Sequence, residues 1–231
     1  MGMAQEVLED FRPEVVALVG IAGGLEGRDG VHLGDVVIPS YVHYVEFRKL
    51  TGAGDLRRYV AFDQPSKSIL ECFAHPACRD AWHTGVTVSR PDGSTGTSPQ
   101  ALYGGSLATG EKIYGDPSHE EQQLLLTSLP DAIAVDMESY GVARAVFESR
   151  NNVNYNPRLV VVRGISDLVH RDSVSGSSTE QPEPAVENSE ERRQWRPYAA
   201  ATAAAFTAAL IARLERSSNP RAASTSTGGP Q

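Results

Sequence analysis

The sequence predicts an α/β fold, a three-layer αβα sandwich around a mixed central sheet. Apolar runs with strand character recur along the chain, at Val15–Val19, Ala132–Val135 and Leu159–Val162. Segments with helical spacing lie between them, as in Met137–Ser149, where Val142, Ala143, Val146 and Phe147 share a face. Strands alternating with helices make a sheet covered on both faces. The 231 residues suffice for one domain with a substantial core.

Residues 4–12 read as an amphipathic helix, with Val7, Leu8 and Phe11 on one side and Pro13 at its end. Val15–Val19 reads as a buried strand, and Gly20–Gly24 as a tight turn. Val31–Tyr44 partly alternates and predicts a strand at about 33–44, bent near Pro39. Residues 51–60 are polar and read as loop; a helix follows at 64–74 and a short strand at 85–88. Residues 90–105, with Pro91-Asp92-Gly93, read as loop, and a strand follows at 107–109. A helix at 120–129, a strand at 132–136, the helix at 137–149 and a strand at 159–163 complete the alternation. The polar segment 172–193 holds too little apolar surface to offset its ordering entropy and reads as a mobile loop. The Ala-rich run from Tyr198 to Leu214 is a helix with Pro197 in its first turn. The domain is expected over 1–216, with a disordered Ser/Thr/Gly/Pro-rich tail at 217–231.

A net charge of −8 argues against a nucleic-acid polymer as partner, because that work needs a basic surface. No uninterrupted apolar run approaches the roughly 20 residues of a bilayer span, so no membrane is expected. The N-terminus lacks the pattern of a signal peptide, and Cys72 and Cys78 make no disulfide framework; a cytoplasmic location is expected. Gly20, Gly23 and Gly24 do not have dinucleotide-binding spacing, and neither a phosphate loop nor a nucleophile elbow is present. Cys72, His75, Cys78 and His83 match none of the usual zinc spacings. No cofactor and no metal are expected.

Three distant stretches read as walls of one pocket: Leu18–Leu25, Ala134–Ser139 and Val160–Asp167. Each apolar run leads into a tight or polar segment, and ligands sit where buried strands end. The later two deliver Glu138 and Asp167. One carboxylate for hydroxyl groups and another for proton transfer suit a sugar bearing a basic leaving group, such as a purine nucleoside.

At these residues the chain resembles the superfamily of nucleoside phosphorylases and methylthioadenosine/S-adenosylhomocysteine nucleosidases. The matching text is Gly20-Ile21-Ala22-Gly23-Gly24-Leu25, Val31-His32-Leu33-Gly34-Asp35-Val36-Val37-Ile38-Pro39, Thr109-Gly110-Glu111-Lys112, Val135-Asp136-Met137-Glu138 and Arg163-Gly164-Ile165-Ser166-Asp167. The resemblance implies that Asp167 protonates N7 of a purine, with Ser166 orienting it, and that burial raises the affinity of this acid for its proton. It further implies that Glu138 accepts hydrogen bonds from ribose hydroxyls and that Met137 packs beneath the ring. Ile113 or Tyr114 would lie against the base, and Ala22 and Gly23 would let the backbone approach the sugar. For Arg163 a direct ligand role and a buried ion pair stand as equals.

Family members open with a further strand that handles the nucleophile, and nothing near Met1 matches it. Its loss is expected to expose a sheet edge or to call for a second copy of the chain. Ile21 stands where phosphorolytic relatives carry a serine, which favours water over phosphate. Two functions from different classes follow: a purine nucleoside N-glycosidase with phosphorolysis as its variant, or a degenerate nucleoside-binding effector domain.

Overall fold

The computed structural model describes residues 2–28, 30–51, 54–57, 60–62, 66–95, 98–151, 154–170 and 188–218. The first half contains α1 (Gly2–Phe11), β1 (Val15–Leu25), β2 (Val36–Ile38), β3 (Tyr41–Tyr44), β4 (Arg48–Thr51), β5 (Gly54–Arg57), β6 (Val60–Phe62), α2 (Lys67–Phe73) and α3 (Pro76–Arg79). The second contains β7 (Ala101–Tyr103), β8 (Ser106–Thr109), α4 (Glu120–Ser128), β9 (Ala132–Asp136), α5 (Ser139–Ser149), β10 (Arg158–Val169) and α6 (Asn188–Ser218). The main sheet has eight strands in the order β6-β3-β8-β9-β1-β10-β2-β7, with β4 and β5 as a separate pair. It mixes parallel pairs, such as β1 with β10, and antiparallel ones, such as β10 with β2.

One face of the sheet packs on α1 and α5 through Leu8, Ala143, Ala145, Val146, Leu159 and Val161. The other packs on α2, α3 and α6 through Ile69, Phe73, Cys78, Val160, Val162, Phe206 and Leu210. A third cluster sets Leu125 and Leu126 of α4 against Ala108 and Val135. Both cysteines are buried and unpaired.

β1 runs straight through Gly20–Gly24, where the sequence predicts a turn. These glycines serve close packing instead: a Cβ on Gly20 would lie 1.9 Å from Nη1 of Arg163, and one on Gly24 2.7 Å from a methyl of Val31. The expected strand 33–44 is two strands, β2 and β3, broken at Pro39-Ser40 and lying on opposite sides of β1. Residues expected as loop in 51–60 include β5 and the start of β6, and β7 lies inside the expected loop 90–105, paired with β2. In place of a strand at 85–88, a 3-10 turn spans Trp82–Gly85 and buries Trp82 against Phe206.

β10 does not end before its carboxylate but continues to Val169. α6 begins at Asn188, so residues 188–193 are helical, and Pro197 lies inside the helix rather than in its first turn. The rest of the expected loop and residues 219–231 of the expected tail lie outside the described residues, whereas 217 and 218 end α6. The stretch Ser189–Arg216 is long and apolar enough, by composition, to cross a bilayer. In the fold it is a core helix, with Ala199, Ala203, Phe206 and Leu210 buried. Among the described residues, no strand pairs with Val15–Ile21 on the side away from β10, so the expected open edge is present.

Candidate active site

β1 and β10 keep a constant register up to Ala22, opposite Ile165; the next pair is Gly23 with Asp167. Ser166 is therefore the extra residue of a β-bulge, a device that re-aims side chains and recurs beside functional sites. This is how a carboxylate in mid-strand comes to open on a cavity. Asp167 is 1% exposed, and Ser166 Oγ donates to its Oδ1 at 2.6 Å.

The second carboxylate comes from the short link between β9 and α5. Glu138 takes the N-cap position of α5 but makes no side-chain cap, which leaves its carboxylate directed to Arg163 Nη2 at 3.4 Å. Arg163 is 3% exposed and forms a buried ion pair with Asp136. It also donates to Ser139 Oγ at 3.2 Å, while Ser139 donates through its hydroxyl to Asp136. Of the two alternatives left open for Arg163, the buried ion pair is the one present; from below the cavity the same side chain also holds Glu138.

Asp136→Asn tests that floor. The variant removes the charge paired with Arg163 but leaves it Glu138 and Ser139, so we expect a loss of about 2 kcal/mol in urea unfolding. An unchanged midpoint would mean that Asp136 is dispensable to the floor.

Asp167 and Glu138 open on one cavity of about 450 Å³, a size ordinary for small-molecule sites. Ala22, Gly23, Ile113, Tyr114, Met137, Arg163 and Ser166 all line it, so every residue singled out from the sequence comes to the same place. Ile113 and Met137 present 62% and 48% of their surface, whereas Tyr114 is buried, which gives Ile113 the more accessible face. The part of β1 that pairs with β10 alone also contributes Leu18, Val19, Gly20 and Ile21 to the lining.

Sequence reasoning gave no role to Asp136 and Lys112, which stand in stretches it named, and it missed Val169 and Arg192 altogether. Asp136 had a signal, since a buried Arg163 needs an acidic partner and Asp136 lies in the same motif as Glu138. Lys112 pairs with Glu46 and lies 3.9 Å from Glu121, fixing the segment that carries Ile113. Arg192 had no signal, because it falls in the segment read as loop. It binds Asp167 with both ends of its fork, Nε to Oδ1 at 3.1 Å and Nη2 to Oδ2 at 2.7 Å. The hydrogen bond and charge of Asp167 hold the Arg192 guanidinium above its ordinary range.

A family model described as the phosphorylase superfamily matches residues 2–212. The 5′-methylthioadenosine/S-adenosylhomocysteine nucleosidase of Maridesulfovibrio salexigens is 24% identical over 186 residues, covering 79% of this chain and 69% of that protein. The enzyme of the same name from Listeria welshimeri is 26% identical over 168 residues, covering 71% and 61%. The alignments thus span about two thirds of these relatives' lengths. Among solved structures, the nucleosidase of Neisseria meningitidis in complex with methylthio-immucillin-A has a TM-score of 0.59 at 19% identity, covering 90% of this chain and 73% of that one. The nucleosidase of Colwellia psychrerythraea in complex with adenine has a TM-score of 0.61 at 18% identity, covering 92% and 72%. At such identities the structures establish likeness of fold, and the match to the family model over nearly the whole described chain establishes descent: the chain belongs to the phosphorylase superfamily.

Proposed function

We propose that the chain is an N-glycosidase that hydrolyses the bond between base and ribose in adenine-type purine nucleosides. The observation that carries this reading is the single cavity onto which Asp167 and Glu138 both open. Glu138, exposed at the cavity, accepts hydrogen bonds from ribose hydroxyls, and these strengthen as the sugar gains positive charge. Asp167 in its acid form gives its proton to N7. The bond from C1′ to the base breaks with its electron pair moving to the base, which leaves neutral; water adds at C1′ and loses a proton to solvent, and Asp167 is reprotonated. Met137 and Ile113 supply apolar surface for the sugar and the base. The names of the relatives, and the adenine and nucleoside analogue bound to two structural neighbours, support an adenine-type substrate. The two free cysteines suit the cytoplasm as the place of action.

A second reading, a nucleoside-binding domain without catalysis, is favoured by one observation: Arg192 occupies both oxygens of the proposed acid. Release of base from adenosine, 5′-methylthioadenosine and inosine, with and without phosphate, separates the readings. We expect adenine release that does not depend on phosphate, because Ile21 brings no hydroxyl to the lining. Strict dependence on phosphate would assign phosphorolysis. Binding of adenine with no turnover of any nucleoside would assign the binding domain.

A further inference from the structure

We propose that Arg192 is a positioning residue of the pocket that competes with the purine for Asp167, holding the carboxylate in the empty site and leaving it when the base enters. The inference rests on the purine reading given above. The contact is built into the fold. Arg192 and its neighbour Glu191 both reach β10 from α6: Glu191 accepts from the backbone N–H of Leu168 at 2.7 Å while Arg192 grips Asp167. Behind them, Trp195 and Tyr198 anchor α6 in the core. The guanidinium itself is less confined, with about 30% of the side chain exposed at the mouth of the cavity.

The competition follows from counting acceptors. An ionised carboxylate has about four acceptor positions, and three on Asp167 are taken by Ser166 Oγ, Arg192 Nε and Arg192 Nη2. Arg192 thus covers both oxygens that an entering base would meet. An adenine-type base protonated at N7 presents two adjacent N–H donors, at N7 and the 6-amino group. That is the donor pattern of the guanidinium fork, so the leaving base and Arg192 satisfy the same two oxygens and exclude each other. The pocket's apparent affinity is then reduced by the fraction of molecules in which the pair is closed. The other charges about Asp167 are Glu191 on α6, with Glu26 after β1 and His170 after β10 near it, and Glu138, Asp136, Arg163 and Lys112 around the cavity.

Arg192→Met removes the fork but keeps the length of the side chain. By calorimetry we expect free adenine to bind this variant at least about tenfold more tightly than the parent chain. We also expect KM for 5′-methylthioadenosine to fall with kcat little changed, a split that a merely structural role for Arg192 would not produce. Adenine affinity that is unchanged or weaker, with base release intact, would overturn the role of Arg192 and leave the purine reading standing. No adenine binding by either protein would overturn both. Circular dichroism checks folding. Should Arg192→Met fail to fold, Arg192→Lys decides: it keeps the charge without the fork, and an affinity a few-fold above the parent is expected. Parental or lower affinity in that variant overturns the proposal.

Discussion

Asp167→Asn releases adenine about 10²–10⁴-fold more slowly than the parent chain, with the loss in kcat rather than in adenine binding. The amide matches the carboxyl in shape, can still accept from Ser166 or Arg192, and sits in the same bulge opposite Gly23. What it lacks is an acidic proton. Purine loss from ribose builds positive charge on the sugar and negative charge on the base, and protonation at N7 is the step that lets the base leave neutral. Free adenine in its 9H form offers N7 as acceptor beside the 6-amino donor, an edge that the amide's own donor and acceptor match, so adenine binding is retained. The fold should survive, because Glu191 continues to hold α6 to Leu168. Thermal melts of the variant check that point. A variant with parental turnover would mean that Asp167 is not the acid, whatever its place in the cavity.

The cavity was legible in the sequence because its residues sit in short, locally unusual runs. Glu138 and Asp167 each follow an apolar strand segment, and such placement of a charge is hard to explain as packing. Five motifs in family order then tied the runs together. The architecture was legible for a similar reason: α5 carries a helical period of its own, β9 is a short apolar run, and α6 is marked by its Ala-rich composition. Elsewhere the deciding physics was non-local. Gly20 and Gly24 look like a turn until β10 and Val31 are seen to fill the space beside them. β7 is three residues long and exists because β2 offers a parallel partner. The first turn of α6 is polar and would not be helical alone; Glu191 and Arg192 hold it to β10. A charge whose partner lies in another element leaves no trace in its own neighbourhood of sequence. That is why Arg192 was missed and Glu138 was not.

Gly164→Ala tests the packing that places α6, and with it Arg192, over the site. Gly164 lies in β10 between Ile21 of β1 and Val36 of β2. A Cβ there would stand 1.9 Å from the carbonyl oxygen of Ala199, 2.6 Å from its carbonyl carbon and 3.0 Å from its Cα. All three atoms are backbone of a buried helical turn, so no rotamer change relieves the overlap. Either β10 bows away from α6 or α6 lifts, and lifting opens voids around Ala203, Phe206 and Leu210. We expect a loss of about 3 kcal/mol or more, at the upper end of overpacking effects. For a domain of this size that is roughly 6–12 °C in Tm, since each kcal/mol is worth about 2–4 °C. Gly85→Ala is the control: Gly85 also faces α6, but its added Cβ would meet Ala205 Cβ at 3.5 Å, an ordinary contact. Its Tm should stay within about 2 °C of the parent, because surface-like changes without overlap cost little. Because α6 carries Glu191 and Arg192, the lifted helix of Gly164→Ala should also loosen the grip on Asp167 and raise adenine affinity in the protein that remains folded. Equal melting temperatures for Gly164→Ala and the parent would mean that the α6 backbone does not lie on β10, and that Arg192 is not held at the cavity by the core.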